Sequence, residues 1–120
     1  MIAVAIVAIL ASLAYASYEA QIVKTRRTAA TACLMEHVQY MERYYTTRFT
    51  YAGAVVPTGS CVVELTLFYT FGSTIEASAY TLSATPKGSQ ASGDARCKVL
   101  SITDKGVKGK TGTASVHDCW

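Results

Sequence analysis

Charge is missing from the first eighteen residues, Met1–Tyr18, and neither glycine nor proline occurs before Gly53. The first absence rules out an ordinary soluble surface for this segment, and the second leaves nothing to break a helix through it or well beyond it. No Lys or Arg precedes the apolar run, so it lacks the basic start of a cleaved secretory signal, although Ala14-Tyr15-Ala16 imitates a small-x-small cleavage site. A C-x-x-C pair is absent, and His37 and His117 show no ligand spacing, which argues against a zinc centre. No nucleophile elbow, HExxH or GxGxxG occurs, so neither hydrolytic nor nucleotide chemistry has its usual framework. Gly106–Gly112 (GVKGKTG) imitates a phosphate loop, but Asp104 stands where the required first glycine would be. No cofactor and no enzymatic activity are expected.

What is present begins with the apolar run itself. At about 1.5 Å per residue an eighteen-residue helix spans roughly 27 Å, just short of a bilayer's hydrocarbon core at about 30 Å. From Glu19 to about Thr47 helix formers continue, with an apolar stripe at Ile22, Ala30, Cys33, Leu34, Val38, Met41 and Tyr45. The expectation is one helix of about 45 residues, roughly 70 Å long. Its first half has to be covered by lipid or by neighbouring subunits.

Beyond that helix about seventy residues remain, a small head that needs staples. Cys33, Cys61, Cys97 and Cys119 can supply them. Four cysteines allow three pairings, and sequence alone does not choose. Cys33 with Cys61 and Cys97 with Cys119 is the expected pattern, since each closes one local loop; two such bridges contribute on the order of 3 kcal/mol each. They imply an oxidising compartment. Lys24, Arg26 and Arg27 just after the run would by the positive-inside rule place the head in the cytoplasm. The conflict vanishes if a basic leader once preceded Met1, so the chain reads as processed or incomplete at its start.

Phe49–Val63, with Gly53, Pro57 and Gly59, reads as a loop. Three strands are expected at Leu65–Phe71, Ser78–Thr85 and Cys97–Ile102, with turns at Gly72–Ala77 and Pro86–Ala95 and a short further strand near Val107 and Lys108. In the second strand alternation places Tyr80, Leu82 and Ala84 on one face and Thr81, Ser83 and Thr85 on the other. The fold class is therefore α+β, a long N-terminal helix with a small antiparallel sheet packed on its C-terminal half. Tyr40, Tyr44, Tyr45, Phe49 and Tyr51 are expected in the core. His37, beside the stripe, reads as a packed or capped side chain, and His117 with Asp118 as a loop pair.

The segments MIAVAIVAILASLAYASYEAQIVKTRRTAA, CLMEHVQYMERYYTTRFTYAGA, SAYTLSATPKGSQ and the closing DCW resemble the type IV pilins of Gram-negative bacteria, the PilE-like members above all. The resemblance implies the pilin fold and a non-enzymatic structural subunit of a filament serving adhesion, twitching motility or DNA uptake. It implies a precursor anchored in the inner membrane, with its head in the periplasm, before assembly into an extracellular pilus. A prepilin peptidase would remove a leader and methylate the new N-terminal amine, and the pilus assembly machinery would place the chain among copies of itself and other pilins. On this reading residues 1–20 form the stem and 21–120 the head, divided into helix 21–48, αβ-loop 49–63, sheet 64–110 and D-region 97–119. Ile2, Val4, Ile6, Val7, Ile9, Leu10 and Leu13 would form the filament core.

Two departures from the resemblance matter. The family's FTLIE-like start is absent ahead of Met1, so the glutamate that neutralises a neighbour's N-terminal amine has no counterpart among these residues. Ala8 and Ala16 stand where many members carry Gly and Pro. Less local melting of the stem is expected here, since Ala is favoured over Gly by about 1 kcal/mol in a helix and over Pro by about 3 kcal/mol. An alternative function rests on charge: Lys87, Arg96, Lys98, Lys105, Lys108 and Lys110 face only Asp94 and Asp104 in their segment of a +3 chain. They could form a DNA-binding strip of a minor competence pilin.

Overall fold

Uninterrupted helix formers produce an uninterrupted helix. The computed structural model describes Met1–Trp120, and α1 (Ile2–Arg48) runs for 47 residues. It stops at Phe49, whose left-handed φ of 56° lets its N–H donate to the Tyr45 carbonyl at 2.7 Å. This is a helix-ending geometry that glycine more often supplies. The helix gives the chain extents of 71 × 28 × 20 Å.

After it come α2 (Ser60–Glu64), β1 (Tyr69–Ile75), β2 (Tyr80–Pro86), α3 (Ser89–Gly93), β3 (Leu100–Thr103), β4 (Lys108–Lys110) and α4 (Val116–Cys119). The four strands form one antiparallel sheet in the order β1-β2-β3-β4. Tyr80, Leu82 and Ala84 of β2 are buried with Leu100 and Ile102 of β3, against Ala30, Cys33, Leu34 and Met41 of α1. The alternation expected in β2 holds, since Thr81 and Thr85 face outward. The expected α+β class is the observed one.

Several boundaries differ from expectation: the loop expected at Phe49–Val63 ends in α2, the turn expected at Pro86–Ala95 contains α3, and β2 is shifted from Ser78–Thr85 to Tyr80–Pro86. The first strand lies four residues later than Leu65–Phe71, because Phe68 and Tyr69 both donate to the Leu65 carbonyl and turn the chain after α2. Pairing with β2 then carries the strand through Gly72 to Ile75, and the turn is displaced to the residues before Tyr80. Cys97–Val99 precede β3 instead of opening it: Cys97 and Lys98 donate to the Asp94 carbonyl, and Lys98 has a φ of 55°. Phe49 and Tyr45, both expected in the core, are exposed; Phe49 is 78% exposed, its direction set by the left-handed helix end. Tyr51 does enter the core and stacks edge-on against Tyr80 at 4.8 Å.

Candidate functional site

The stem is the first site. Ile2, Val4, Ile6, Val7, Ile9, Leu10 and Leu13 are all between half and four-fifths exposed. No part of the chain covers them: the apolar window of α1, with a mean hydropathy of 1.8, is wholly unburied and is long and apolar enough to cross a membrane. A helix apolar on every side requires lipid or protein around it.

Where α1 leaves the head, polar groups lock it to the loop after β2. Arg27 Nη1 donates to Asp94 Oδ1 at 2.6 Å, and the Asp94 side chain is only 3% exposed. Gln90 is fully buried and its Nε2 donates to the Val23 carbonyl and to the Tyr69 hydroxyl, both at 3.0 Å, leaving Oε1 without a partner. Burial pushes the Tyr69 phenol up to about 12, the Gln90 hydrogen bond opposing and the Asp94 carboxylate adding to the rise. Gly93 is needed beside Val23, because a Cβ there would lie 2.7 Å from Val23 Cγ2. The cation of Arg26 stacks over Phe68 at 3.6 Å.

At the other end of the head, Glu42 Oε1 accepts from the Tyr51 hydroxyl at 3.1 Å and from the Tyr80 hydroxyl at 3.0 Å. Both phenols are pushed upward, by burial first and by the Glu42 carboxylate next; Tyr51 reaches about 12. Asp94, Gln90 and Glu42 are buried or bonded polar groups that sequence reasoning did not single out as determinants, while His37 is buried beside the stripe.

Both cysteine pairs close as expected, Cys33–Cys61 tying α1 to α2 and Cys97–Cys119 tying the loop before β3 to α4. The second bridge is backed by Gly112, which donates to the Cys97 carbonyl at 3.0 Å and sits so close to Arg96 that a Cβ would overlap the Arg96 carbonyl.

The six cations are distributed by the sheet's antiparallel register. Lys105 lies in the β3–β4 turn, Lys108 and Lys110 follow along the edge strand, and Lys98 and Arg96 come next because Val99 pairs with Thr111. Lys105, Lys108 and Lys110 follow the free edge, whereas Arg96 and Lys98 lie inside it, where Gly112 and Ala114 pair with Cys97 and Arg96. Lys87 lies apart from all of them, past the end of β2. Lys108 sits over the Trp120 ring at 5.3 Å, and Lys110 Nζ donates to the Gly112 carbonyl at 2.8 Å. Lys105, Lys98 and Arg96 are exposed. His117 lies on the surface of α4, 3.9 Å from Asp118.

An unburied apolar helix, a sheet packed only on its second half and a cysteine-closed C-terminal loop together define a filament subunit of the pilin class. Solved structures bear this out. The chain is similar to a type IV pilin from Shewanella oneidensis, with 25% identity, a TM-score of 0.63, and coverage of 82% of this chain and 97% of that one. The non-core minor pilin PilV of Neisseria meningitidis shares the fold, with a TM-score of 0.60 and 19% identity over 80% of this chain and 93% of that one. No curated protein matches the sequence. Residues 16–101 match the family described as "Type IV minor pilin ComP, DNA uptake sequence receptor", and the chain belongs to that family. It is a type IV pilin, a structural subunit that assembles with other pilins.

Proposed function

We propose that this pilin is a minor, DNA-receiving subunit of its pilus and that DNA phosphates are held along the β4 edge by Lys105, Lys108 and Lys110, with Lys98 and Arg96 just inside it. The observation that carries the reading is the family match over residues 16–101, whose description is that of a DNA uptake sequence receptor. The match ends before Lys105, so three of the five cations are assigned from charge and register alone. A line of cations on an exposed edge suits phosphate contacts, which set affinity and make it salt-dependent. Lys87, off that line, is a weaker member.

The rest of the reading follows the stem. Ile2 to Leu13 hold the precursor in the inner membrane with its head in the periplasm, and later pack in the filament core, where close packing must supply what transfer out of lipid does not. Residues 1–20 act as stem and 21–120 as head. A prepilin peptidase and the assembly machinery process and place the chain. The protein carries out no catalysis; Arg27, Asp94, Gln90 and Tyr69 are engaged with one another in structural bonds, and Glu42 separately with Tyr51 and Tyr80.

The test is DNA binding by the full chain in detergent across a salt series. Affinity should fall steeply with salt, and exchanging Lys105 and Lys108 for Ala should lower the slope of log K against log salt by about 2. Absence of binding to duplex DNA at low salt would remove the receptor reading but not pilus membership. Gene deletion reads that separately: filaments should persist if the subunit is minor and disappear if it is the major one.

A further inference from the structure

The sheet has two free edges, and they are finished differently. β4 carries Lys108 and Lys110 in its three residues, and charge on an edge discourages another strand from pairing with it. β1 carries neither charge nor proline along Tyr69–Ile75. We propose that the β1 edge is a docking slot for an extended, uncharged segment of a different pilin, which pairs with it as an added strand.

The register fixes which backbone groups are free. The Lys87 N–H donates to the Phe68 carbonyl at 2.9 Å and the Glu76 N–H to the Ala79 carbonyl at 2.8 Å, and the pairing between them is unbroken, from Tyr69 opposite Pro86 to Ile75 opposite Tyr80. Hydrogen-bonded and non-bonded pairs alternate in an antiparallel ladder, so Thr70, Gly72 and Thr74 turn their N–H and C=O groups toward β2. Phe71 and Ser73 turn theirs outward, where the chain supplies no partner. The Tyr69 N–H is already taken by the Leu65 carbonyl at 2.8 Å, so the open stretch starts after it.

Residues 54–58, which belong to no helix or strand, form the other wall. The N–H groups of Val55, Val56 and Thr58 donate to nothing in the chain. Between these residues and 71–73 lies a cavity of about 380 Å³, also lined by His37 and Val62. The loop covers the edge without bonding to it, and Val55, Thr58 and Ser73 are exposed, so the slot opens to solvent.

The occupant follows from charge complementarity between partial charges. Two facing strips of backbone, each with donors and acceptors unmet, are matched in kind by a third peptide backbone. An aliphatic guest would leave the Phe71 and Ser73 groups unpaired in a drier place, which is costly. Residues 71–73 offer roughly 10 Å of edge at about 3.3 Å per residue, enough to grip about three guest residues. No Lys, Arg, Asp or Glu lines the slot, so a charged guest side chain would lose water and gain no partner. Small apolar or hydroxyl side chains suit the surroundings of Phe71, Val62 and the 75%-exposed Val55. A second copy is the poorer guest: its free strands are β4, which brings two lysines, and β1, which stands behind its own residues 54–58. The slot is on the opposite edge from β4, so it stands apart from the DNA reading.

The experiment uses the full chain, isotope-labelled and in detergent micelles, titrated with the capped peptide acetyl-Val-Thr-Val-Thr-Val-amide and with the same peptide N-methylated at every residue. The Phe71 and Ser73 amide signals should shift saturably, and their hydrogen exchange should slow at least about tenfold. Thr70 and Gly72, already paired with β2, should change little, and the N-methylated peptide should have no effect. Ser73→Pro removes an outward N–H that β2 does not use, a place where an edge strand tolerates proline; near-UV circular dichroism should be retained and the peptide's effect on Phe71 lost. Thr74→Ala, on the outer face of the same strand, should bind as the unsubstituted chain does. If the proline variant loses its fold, the N-methylated peptide still decides. The assignment is overturned if the free peptide shifts neither amide at millimolar concentration, or if the N-methylated peptide binds as well. It is also overturned if both amides slow with protein concentration alone, since a second copy would then be the occupant.

Discussion

Replacing Arg27 by Met would separate a structural ion pair from a decorative one. Asp94 is 3% exposed and Arg27 15%, so the pair lies where screening by water is weak. With charge centres about 4 Å apart and an effective dielectric of about 20, the attraction is about 4 kcal/mol before desolvation is counted. Removing the guanidinium leaves the carboxylate with a single long side-chain hydrogen bond, from the Tyr69 hydroxyl at 3.4 Å. Breaking a buried pair in this way costs about 3–5 kcal/mol. For a head of roughly 100 residues, at about 4–8 °C per kcal/mol, the midpoint should fall by at least about 12 °C. Thermal unfolding of the full chain in micelles, followed by near-UV circular dichroism, reads it. The companion change, Arg27→Met with Asp94→Leu, should recover most of the loss, because apolar replacement of a buried pair is often neutral. A single-variant loss under about 1 kcal/mol, the range of an exposed pair, would refute the reasoning. So would a double variant as unstable as the single one.

Three further outcomes are expected. His37 has its folded pKa depressed by burial, so the unfolded chain binds the extra proton first and stability should fall as pH drops below about 6.5, its ordinary value; urea midpoints measured down to pH 5 should flatten in His37→Gln, and an unchanged slope would count against it. Gly112→Ala drives a Cβ into the Arg96 carbonyl and should destabilise the C-terminal loop by more than about 2 kcal/mol, visible as faster reduction of Cys97–Cys119 by a fixed thiol concentration while Cys33–Cys61 is unaffected. In the filament, the stem between Ala8 and Tyr18 should stay helical where Gly- and Pro-containing relatives melt; a reconstruction at side-chain resolution with extended backbone there would disprove it.

The helix was legible because its signal is long and unbroken: no breaker before Gly53 and a stripe whose members Ala30, Cys33, Leu34 and Met41 are buried. β2 was legible because period-two alternation is a direct image of its two faces. β1 was misplaced because Leu65–Phe68 have strand-forming side chains, yet their backbone is taken by a turn whose hydrogen bonds leave no mark in composition. Gly72 looked like a turn and is a strand residue because Ser83 lies across from it, where a Cβ would approach the Ser83 hydroxyl at 3.2 Å. The polar lock around Asp94 was invisible for a different reason. Arg27 bonds Asp94 and Gln90 bonds the Val23 carbonyl, each pair more than sixty residues apart in sequence, and only the fold sets them side by side.

Cys33–Cys61 is the only covalent link between α1 and anything beyond its own chain continuation, while Cys97–Cys119 closes wholly inside the C-terminal part. On the proposed stem role, tension on an assembled fibre enters each subunit through α1. It therefore meets a tether thirty-odd residues from the start, at Cys33, and past that point helix and sheet are held by packed side chains and by the Glu42 hydrogen bonds to Tyr51 and Tyr80. The Arg27–Asp94 contact precedes the tether along the loaded helix and would rupture first. This pilin has, in mechanical terms, a weak clasp in series with a strong one.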